Sequence, residues 1–111
     1  MPRPQKAGID YFPLDVNFFA DKKVKILKAR YGADGIAIYL YLLCEIYRAG
    51  YYIKFDDDAL FITSDDLGMS PDKVKQVLKF LLERSLFNDT LFQSDTILTS
   101  AGIQKRFQLA V

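Results

Sequence analysis

The sequence contains no histidine and a single cysteine among its 111 residues. The absence of histidine excludes catalytic triads, general bases and metal sites that depend on an imidazole. One thiol cannot form an internal disulfide or build a zinc site, which favours a reducing, cytoplasmic setting. Net charge is also nearly absent, because 15 Lys and Arg residues face 14 Asp and Glu residues. Bulk composition therefore gives no argument for nucleic-acid binding.

Long hydrophobic runs and targeting signals are missing as well. The longest apolar stretch, residues 36–44, is far shorter than the ~20 residues that a membrane-spanning helix needs. The basic N-terminus lacks the apolar run of a secretory signal. The sequence has no phosphate-binding loop, no nucleophile paired with a base, and no metal-ligand cluster beyond bare aspartates. We therefore expect a soluble cytoplasmic protein that is not an enzyme, holds no cofactor or metal, and does not contact a membrane.

Half of the residues are apolar, which suffices for one domain with its own core. Charge, in contrast, is unevenly distributed. Residues 1–30 contain seven Lys and Arg and three Asp and Glu, residues 31–72 contain two and eight, and residues 73–111 contain six and three. Two basic segments therefore flank an acidic one, so local charged surfaces matter more than the net charge.

Proline and glycine divide the chain into predicted elements. Residues 1–14 contain three prolines and predict an extended N-terminal arm, followed by one domain over residues 15–111. Capping signals predict helices over residues 21–31 and 34–50, a short strand over 51–55, and helices over 56–68 and 71–84. The signal at residues 70–72 is the clearest, because it combines an N-cap hydroxyl, a proline at the first helical position and a carboxylate in the first turn.

Three finer predictions concern the interior and the end of the domain. Cys44 lies in the most apolar helix and is predicted to be a small core residue. Thr63 and Ser64 leave open a break in the helix over 56–68. Residues 86–99 are predicted to form a hairpin or three short strands, with turns at 88–89 and 94–95. A last amphipathic helix is predicted over residues 103–111.

This order of elements is the layout of a winged helix-turn-helix, in which two helices joined by the turn 68–71 are followed by a hairpin. We therefore predict a fold that is mostly α with a small antiparallel β-sheet, where the strand over 51–55 pairs with the hairpin. The helix over 71–84 is then the recognition helix. Its outward side chains are predicted to be Lys73, Lys75, Gln76, Lys79, Phe80 and Arg84.

Five segments also resemble a known group of proteins: GIDYFPLD (8–15), YGADGIAIYL (31–40), DDLGMS (65–70), VLKFLLER (77–84) and LTSAGIQ (98–104). Together they resemble the N-terminal domain of phage-type replisome organisers, a winged-helix group related to DnaD-like primosome proteins. The resemblance implies a role in initiating the replication of phage or mobile-element DNA. It also implies that the chain is the N-terminal part of a longer protein, and that its partners are DNA, further copies of itself and replication proteins such as a helicase or its loader.

The first functional hypothesis is a DNA-binding and assembly domain of such a protein. Lys and Arg suit phosphates, and Gln76 could reach a base edge. The residues predicted to contact DNA are Lys73, Lys75, Gln76, Lys79 and Arg84, with Lys22, Lys25 and Lys28 as a second set. A solvated helix face explains the same lysines without DNA, and residues 86–99 contain no Lys or Arg to contact phosphate.

The alternative hypothesis is an oligomerisation module of a primosome that does not bind DNA directly, and a transcriptional regulator is a third. The residues predicted for oligomerisation are aromatic or apolar and lie near the arm: Ile9, Tyr11, Phe12, Phe18 and Phe19. DNA binding predicts that the basic residues of segments 22–30 and 71–84 converge on one face. Assembly predicts an apolar interface built from residues 9–19.

Overall fold

Five α-helices and one two-stranded sheet form the described part of the chain, residues 8–110, in this computed structural model. Side chains are described for residues 8–105. The elements in chain order are a 3₁₀ turn (Phe18–Ala20), α1 (Lys22–Ala49), β1 (Ile53–Lys54), α2 (Asp57–Leu67), α3 (Pro71–Glu83), α4 (Asp89–Asp95), β2 (Ile97–Leu98) and α5 (Ala101–Ala110). The predicted fold class, mostly α with a small antiparallel sheet in a winged helix-turn-helix order, is confirmed.

Helix α1 joins the two helices predicted over residues 21–31 and 34–50. Its N-cap is Asp21, whose carboxylate accepts hydrogen bonds from the backbone N–H groups of Lys23 and Val24. Gly32 interrupts the helix with a backbone conformation of φ 64° and ψ −154°. The predicted stop at Gly32 is therefore a kink between two halves of one element, and the basic residues 22–30 lie in the first half.

Helices α2 and α3 form the predicted helix-turn-helix. Asp56 caps α2 by accepting from the N–H of Ala59 at 3.0 Å, and Ser70 caps α3 by accepting from the N–H of Lys73 at 3.2 Å. Helix α2 continues without a break through Thr63 and Ser64. The hydroxyl of Ser64 donates to the backbone oxygen of Met69 and so joins the end of α2 to the turn. The two helices and α1 then pack around one core.

The predicted hairpin over residues 86–99 is wrong, because residues 89–95 form the helix α4. Asn88 accepts a hydrogen bond from the N–H of Leu91 at 2.9 Å and so caps a helix where we predicted a turn. The chain then passes through Thr96 in a left-handed conformation into β2, which pairs antiparallel with β1. The predicted pairing of segment 51–55 with this region is confirmed, but the sheet has two strands rather than three.

The core lies between α1, α2 and α3 and is closed by residues of β2 and α5. The apolar and aromatic residues with at most 2% exposure come from both halves of α1, from α3 and from the chain after it: Leu27, Ile38, Leu42, Ile46, Tyr47, Val74, Val77, Phe80, Leu81, Phe87 and Leu98. Cys44, which we predicted to be buried, is exposed. It shares the outer side of α1 with Arg48, because Leu42, Leu43 and Ile46 occupy the side that faces the core.

The longest helix, α1, contains several charged residues along its outer side. Within residues 8–110, no helix has both the length and the apolar character that crossing a membrane requires.

Candidate functional site

Phe80 lies near the end of α3 and is only 2% exposed, so the prediction that it points outward is wrong. Val77 and Leu81 mark the core side of α3, and Phe80 extends that side toward the first half of α1. There its ring makes an edge-to-face contact with Tyr31, with ring centroids 5.8 Å apart. Phe80 therefore belongs to the packing between α1 and α3.

Two arginines lie over the ring of Phe80, one from the first half of α1 and one from the end of α3. The guanidinium carbon of Arg30 is 5.6 Å from the ring centroid, and that of Arg84 is 5.4 Å from it. Such cation–π contacts orient a guanidinium while leaving N–H donors for other partners. Both arginines are solvent-exposed, and neither has an acidic partner within 4.0 Å among residues 8–105. We refer to Arg30 and Arg84 as the arginine pair.

The arginine pair brings together the two basic segments that the sequence placed far apart. Arg30 ends the basic run of the first half of α1, and Arg84 follows α3 directly. Arg84 was among the predicted DNA-contacting residues, and Arg30 belongs to the basic segment 22–30 that DNA binding was expected to bring onto one face with segment 71–84. The contact of both arginines with the ring of Phe80 was not predicted. The sequence offered one signal for this contact. Tyr31 ends an amphipathic stretch whose apolar side has to pack against another element, and Arg30 is its neighbour in the chain.

Other predicted DNA-contacting residues of α3 have different surroundings. The ammonium group of Lys73 lies 2.5 Å from the carboxylate of Asp34, so a local partner offsets its charge. Lys79 lies 3.9 Å from Glu83, a loose pair between exposed side chains. Lys75 and Gln76 are exposed, and Lys75 and Lys79 also line a surface cavity of about 420 Å³ against α2 and α4.

The second predicted set lies on the first half of α1. Lys22, Lys25 and Lys28 are exposed, and none has an ion pair within 4.0 Å among residues 8–105. They lie on the same half of α1 as Arg30, before the kink at Gly32. The structure thus brings the first half of α1 and the end of α3 together at the arginine pair, and it leaves Lys73 in a separate pair with Asp34.

The residues predicted for oligomerisation divide into two groups. Phe12 stacks on Tyr47 at a centroid distance of 4.4 Å and Phe18 stacks on Tyr39 at 6.0 Å. The N–H of Ile9 donates to the backbone oxygen of Tyr47 at 3.1 Å. These three residues therefore pack on their own chain. The predicted arm follows α1 over residues 8–14, and residues 1–7 lie outside the described part of the chain.

The other two residues predicted for oligomerisation face solvent. Tyr11 is 86% exposed and Phe19 is 58% exposed, and Val16 between them is 97% exposed. Of the residues predicted for oligomerisation, Tyr11 and Phe19 are therefore the two whose side chains are accessible to a partner.

The aspartates at the start of α2 have structural roles. Asp56 is the N-cap, and Asp57 and Asp58 follow in the first turn, where carboxylates interact favourably with the helix dipole. Among the described residues, His, Cys, Asp and Glu side chains form no group of three or more that could hold a metal ion.

Tyr41 on α1 is tied to the acidic helix α2. Its hydroxyl donates to Oδ2 of Asp66 at 2.5 Å. Burial, together with this hydrogen bond, raises the pKa of Tyr41 to about 12. The folded state therefore favours the neutral phenol. Its contribution to stability is complete below the unfolded pKa of about 10, and it is lost as the pH rises from there through the folded value.

This link predicts the behaviour of an Asp66→Ala variant. We expect the pKa of Tyr41 to fall toward its ordinary value, because the acceptor and its negative charge are gone. Ultraviolet absorbance of tyrosinate measures this, with a Tyr41→Phe chain subtracted to isolate the signal. Asp65→Ala is the control, since it removes a neighbouring carboxylate that makes no hydrogen bond to Tyr41. Equal titration of both alanine variants would contradict the prediction.

A protein family and a relative of known sequence match the chain. The family model described as Lin1244/Lin1753-like, N-terminal, matches residues 11–103. The chain is similar to an uncharacterized phage-related protein, Lin1244/Lin1753, of Listeria innocua serovar 6a, with 33% identity over 111 residues. The alignment covers 100% of this chain and 36% of that relative, so the chain spans little more than a third of the relative's length. No solved structure matches the chain.

Proposed function

We propose, from the premise that the chain belongs to the Lin1244/Lin1753-like family, that it is a DNA-binding and assembly domain of a phage-related protein. We further propose that this protein acts in the initiation of DNA replication, as the resemblance to replisome organisers and DnaD-like primosome proteins implies. In this proposal the domain binds DNA and partner proteins in the cytoplasm and does not catalyse a reaction. The family supports the phage connection, and the arginine pair supports contact with DNA.

The convergence of Arg30 and Arg84 on Phe80 is the observation on which DNA binding rests. Arginine presents a planar set of donors that matches phosphate oxygens, and a ring beneath it limits its motion. Two such groups over one ring form a surface suited to a nucleic-acid backbone. Most contacts of this kind fix the position of a protein on DNA without reading sequence.

The composition of residues 86–99 shapes how DNA would be contacted. A wing that contacts phosphate usually supplies a Lys or Arg, and this segment has none. It forms α4 and β2 instead, with Asp89 and Asp95 at the ends of the helix. We therefore propose that DNA contacts the end of α3 and the first half of α1, and that residues 86–99 face away from the DNA. Gln76, exposed on α3, is then the side chain available for a base edge.

Removing the arginine pair tests this proposal. In the double variant Arg30→Ala/Arg84→Ala, we expect DNA affinity to fall on the order of tenfold for each arginine, since each loses a charge-assisted contact. The slope of log affinity against log salt should fall by about one unit for each arginine. Fluorescence anisotropy with labelled duplex and single-stranded DNA over a salt series measures both effects.

The matched control is Arg48→Ala/Lys54→Ala, which removes the same charge from exposed positions outside the arginine pair. We expect the control to keep the salt slope of the unchanged chain. Equal losses in the two double variants would show that overall charge, rather than the arginine pair, determines binding. Absence of any DNA binding at low salt would remove DNA contact from the proposed function of this chain.

A second candidate function is an oligomerisation module that does not bind DNA and joins a primosome containing a helicase or its loader. The exposed Tyr11, Val16 and Phe19 favour it, because they offer apolar area within one short segment that a partner can bury. Concentration-dependent association without DNA binding would select this candidate. Light scattering on the samples used for anisotropy distinguishes the two.

A further inference from the structure

Helix α2 presents an exposed face that combines apolar and acidic side chains. Asp58, Phe61, Ile62 and Asp65 are spaced as i, i+3, i+4 and i+7, so they lie on one side of the helix. All four are exposed, with Phe61 at 58% and Ile62 at 59%. We call these four residues the acidic face. Phe61 and Ile62 are neighbours on this side of the helix and together offer exposed apolar area that a partner can bury.

The start of α1 presents a surface of the opposite charge. Phe19, Val24, Lys25, Lys28 and Ala29 line a surface cavity of about 450 Å³, which we call the basic pocket. Phe19 is 58% exposed at its edge. Lys25 and Lys28 are exposed and have no acidic partner within 4.0 Å among residues 8–105. The pocket thus offers an apolar lining between two unneutralised cations.

The acidic face and the basic pocket are complementary in charge and in shape. The acidic face projects apolar side chains flanked by carboxylates, and the basic pocket is a concave apolar site flanked by ammonium groups. No ion pair joins them within the described part of one chain. A second copy of the chain carries a surface complementary to each of them.

We propose that the acidic face of one copy docks on the basic pocket of a second copy. The contact joins two different surfaces, so it is a head-to-tail interface that leaves one free surface on each copy and can add further copies. This inference rests on the assembly part of the proposed function and names its interface. It also gives Lys25 and Lys28 a role in self-association, separate from DNA contact at the arginine pair.

Two charge-reversal variants test the interface. Lys25→Glu/Lys28→Glu reverses the basic pocket, and Asp58→Lys/Asp65→Lys reverses the acidic face. All four residues are exposed, but Asp58→Lys also replaces a favourable carboxylate in the first turn of α2, so circular dichroism first establishes that both variants are folded. We expect each variant alone to self-associate on the order of tenfold more weakly than the unchanged chain, because repulsion replaces attraction across the interface.

Mixing the two variants is the decisive step. The first keeps an intact acidic face and the second keeps an intact basic pocket, so we expect the mixture to regain association that neither variant shows alone. Sedimentation velocity measures this. A mixture no larger than its separate components would overturn the proposal, as would undiminished self-association of either variant.

The apolar part of the contact has its own control. Phe61→Ser should weaken self-association several-fold, whereas Tyr52→Ser should not, although Tyr52 is 56% exposed and so similarly accessible. Equal behaviour of the two serine variants would overturn the placement on α2. DNA anisotropy keeps the two proposals separate, because Asp58→Lys/Asp65→Lys leaves every basic residue intact. If that variant binds DNA but still self-associates, the interface is wrong and the DNA-binding function stands.

Discussion

Replacing Phe80 with alanine is expected to lower the free energy of unfolding by about 3–5 kcal/mol, the range for removing a buried aromatic side chain. Phe80 is 2% exposed, and its ring contacts Tyr31 across the junction of α1 and α3. The alanine would leave a cavity where the two helices meet and would also remove the surface on which Arg30 and Arg84 rest. Urea unfolding measures the stability change, and DNA anisotropy measures the loss of the arginine pair.

A second variant separates packing from the orientation of the arginines. Phe80→Leu keeps an apolar side chain in the core and should cost only about 1–2 kcal/mol. It removes the ring, however, so the cation–π contacts are lost, and we expect DNA affinity to fall on the order of threefold in a folded protein. Unchanged DNA affinity in Phe80→Leu would show that the ring contributes only to the core. The control is Leu82→Met, a buried change on the same helix that leaves the ring in place.

The helix-turn-helix could be predicted because its signals are local. Ser70 and Pro71 begin α3 as predicted, and Asp21 and Asp56 cap the helices whose starts they indicated. A side-chain oxygen three residues before a free N–H satisfies that group whatever the rest of the chain does. The starts of α1, α2 and α3 therefore followed from short stretches of sequence.

The same chemistry explains the error at α4. Asn88 and Asp89 favour turns, but an asparagine that accepts from an N–H three residues later is equally the N-cap of a helix. The apolar runs around Asn88 and Asp89 are too short to show whether apolar residues repeat with the period of a strand or of a helix. The outcome depends on packing: Leu91 and Phe92 of α4 are both partly buried, although the helix is short.

Phe80 and Cys44 could not be placed from their own helices. Phe80 lies beside predicted core residues of α3, and its burial requires the first half of α1 to pack against it. Cys44 lies in an apolar stretch, yet its side chain is exposed on the outer side of α1, where it borders a surface cavity together with Tyr11 and Arg48. The arginine pair was missed for the same reason, because it forms only when α1 and α3 meet.

Gly32→Ala is the second change for which we expect a large effect. Gly32 has φ 64° and ψ −154°, a combination that is nearly restricted to glycine and costs other residues about 1–3 kcal/mol. Apart from its chain neighbours and the adjacent backbone of α1, no atom of the described residues lies within 4 Å of the position that a Cβ would occupy. The expected cost is therefore backbone strain and not crowding. The chain can relieve it by straightening α1, which would move Arg30 away from Phe80.

Gly68→Ala separates these two consequences. Gly68 also has a positive φ, 65°, and open space around its Cβ position, but it lies in the turn between α2 and α3. We expect it to lose about 1–2 kcal/mol of stability while keeping DNA affinity. Gly32→Ala should lose both. If the two variants lose equal stability and only Gly32→Ala loses DNA affinity and salt slope, the kink in α1 is what holds Arg30 beside Arg84. If both keep full affinity in the folded state, the kink serves the packing of α1 alone.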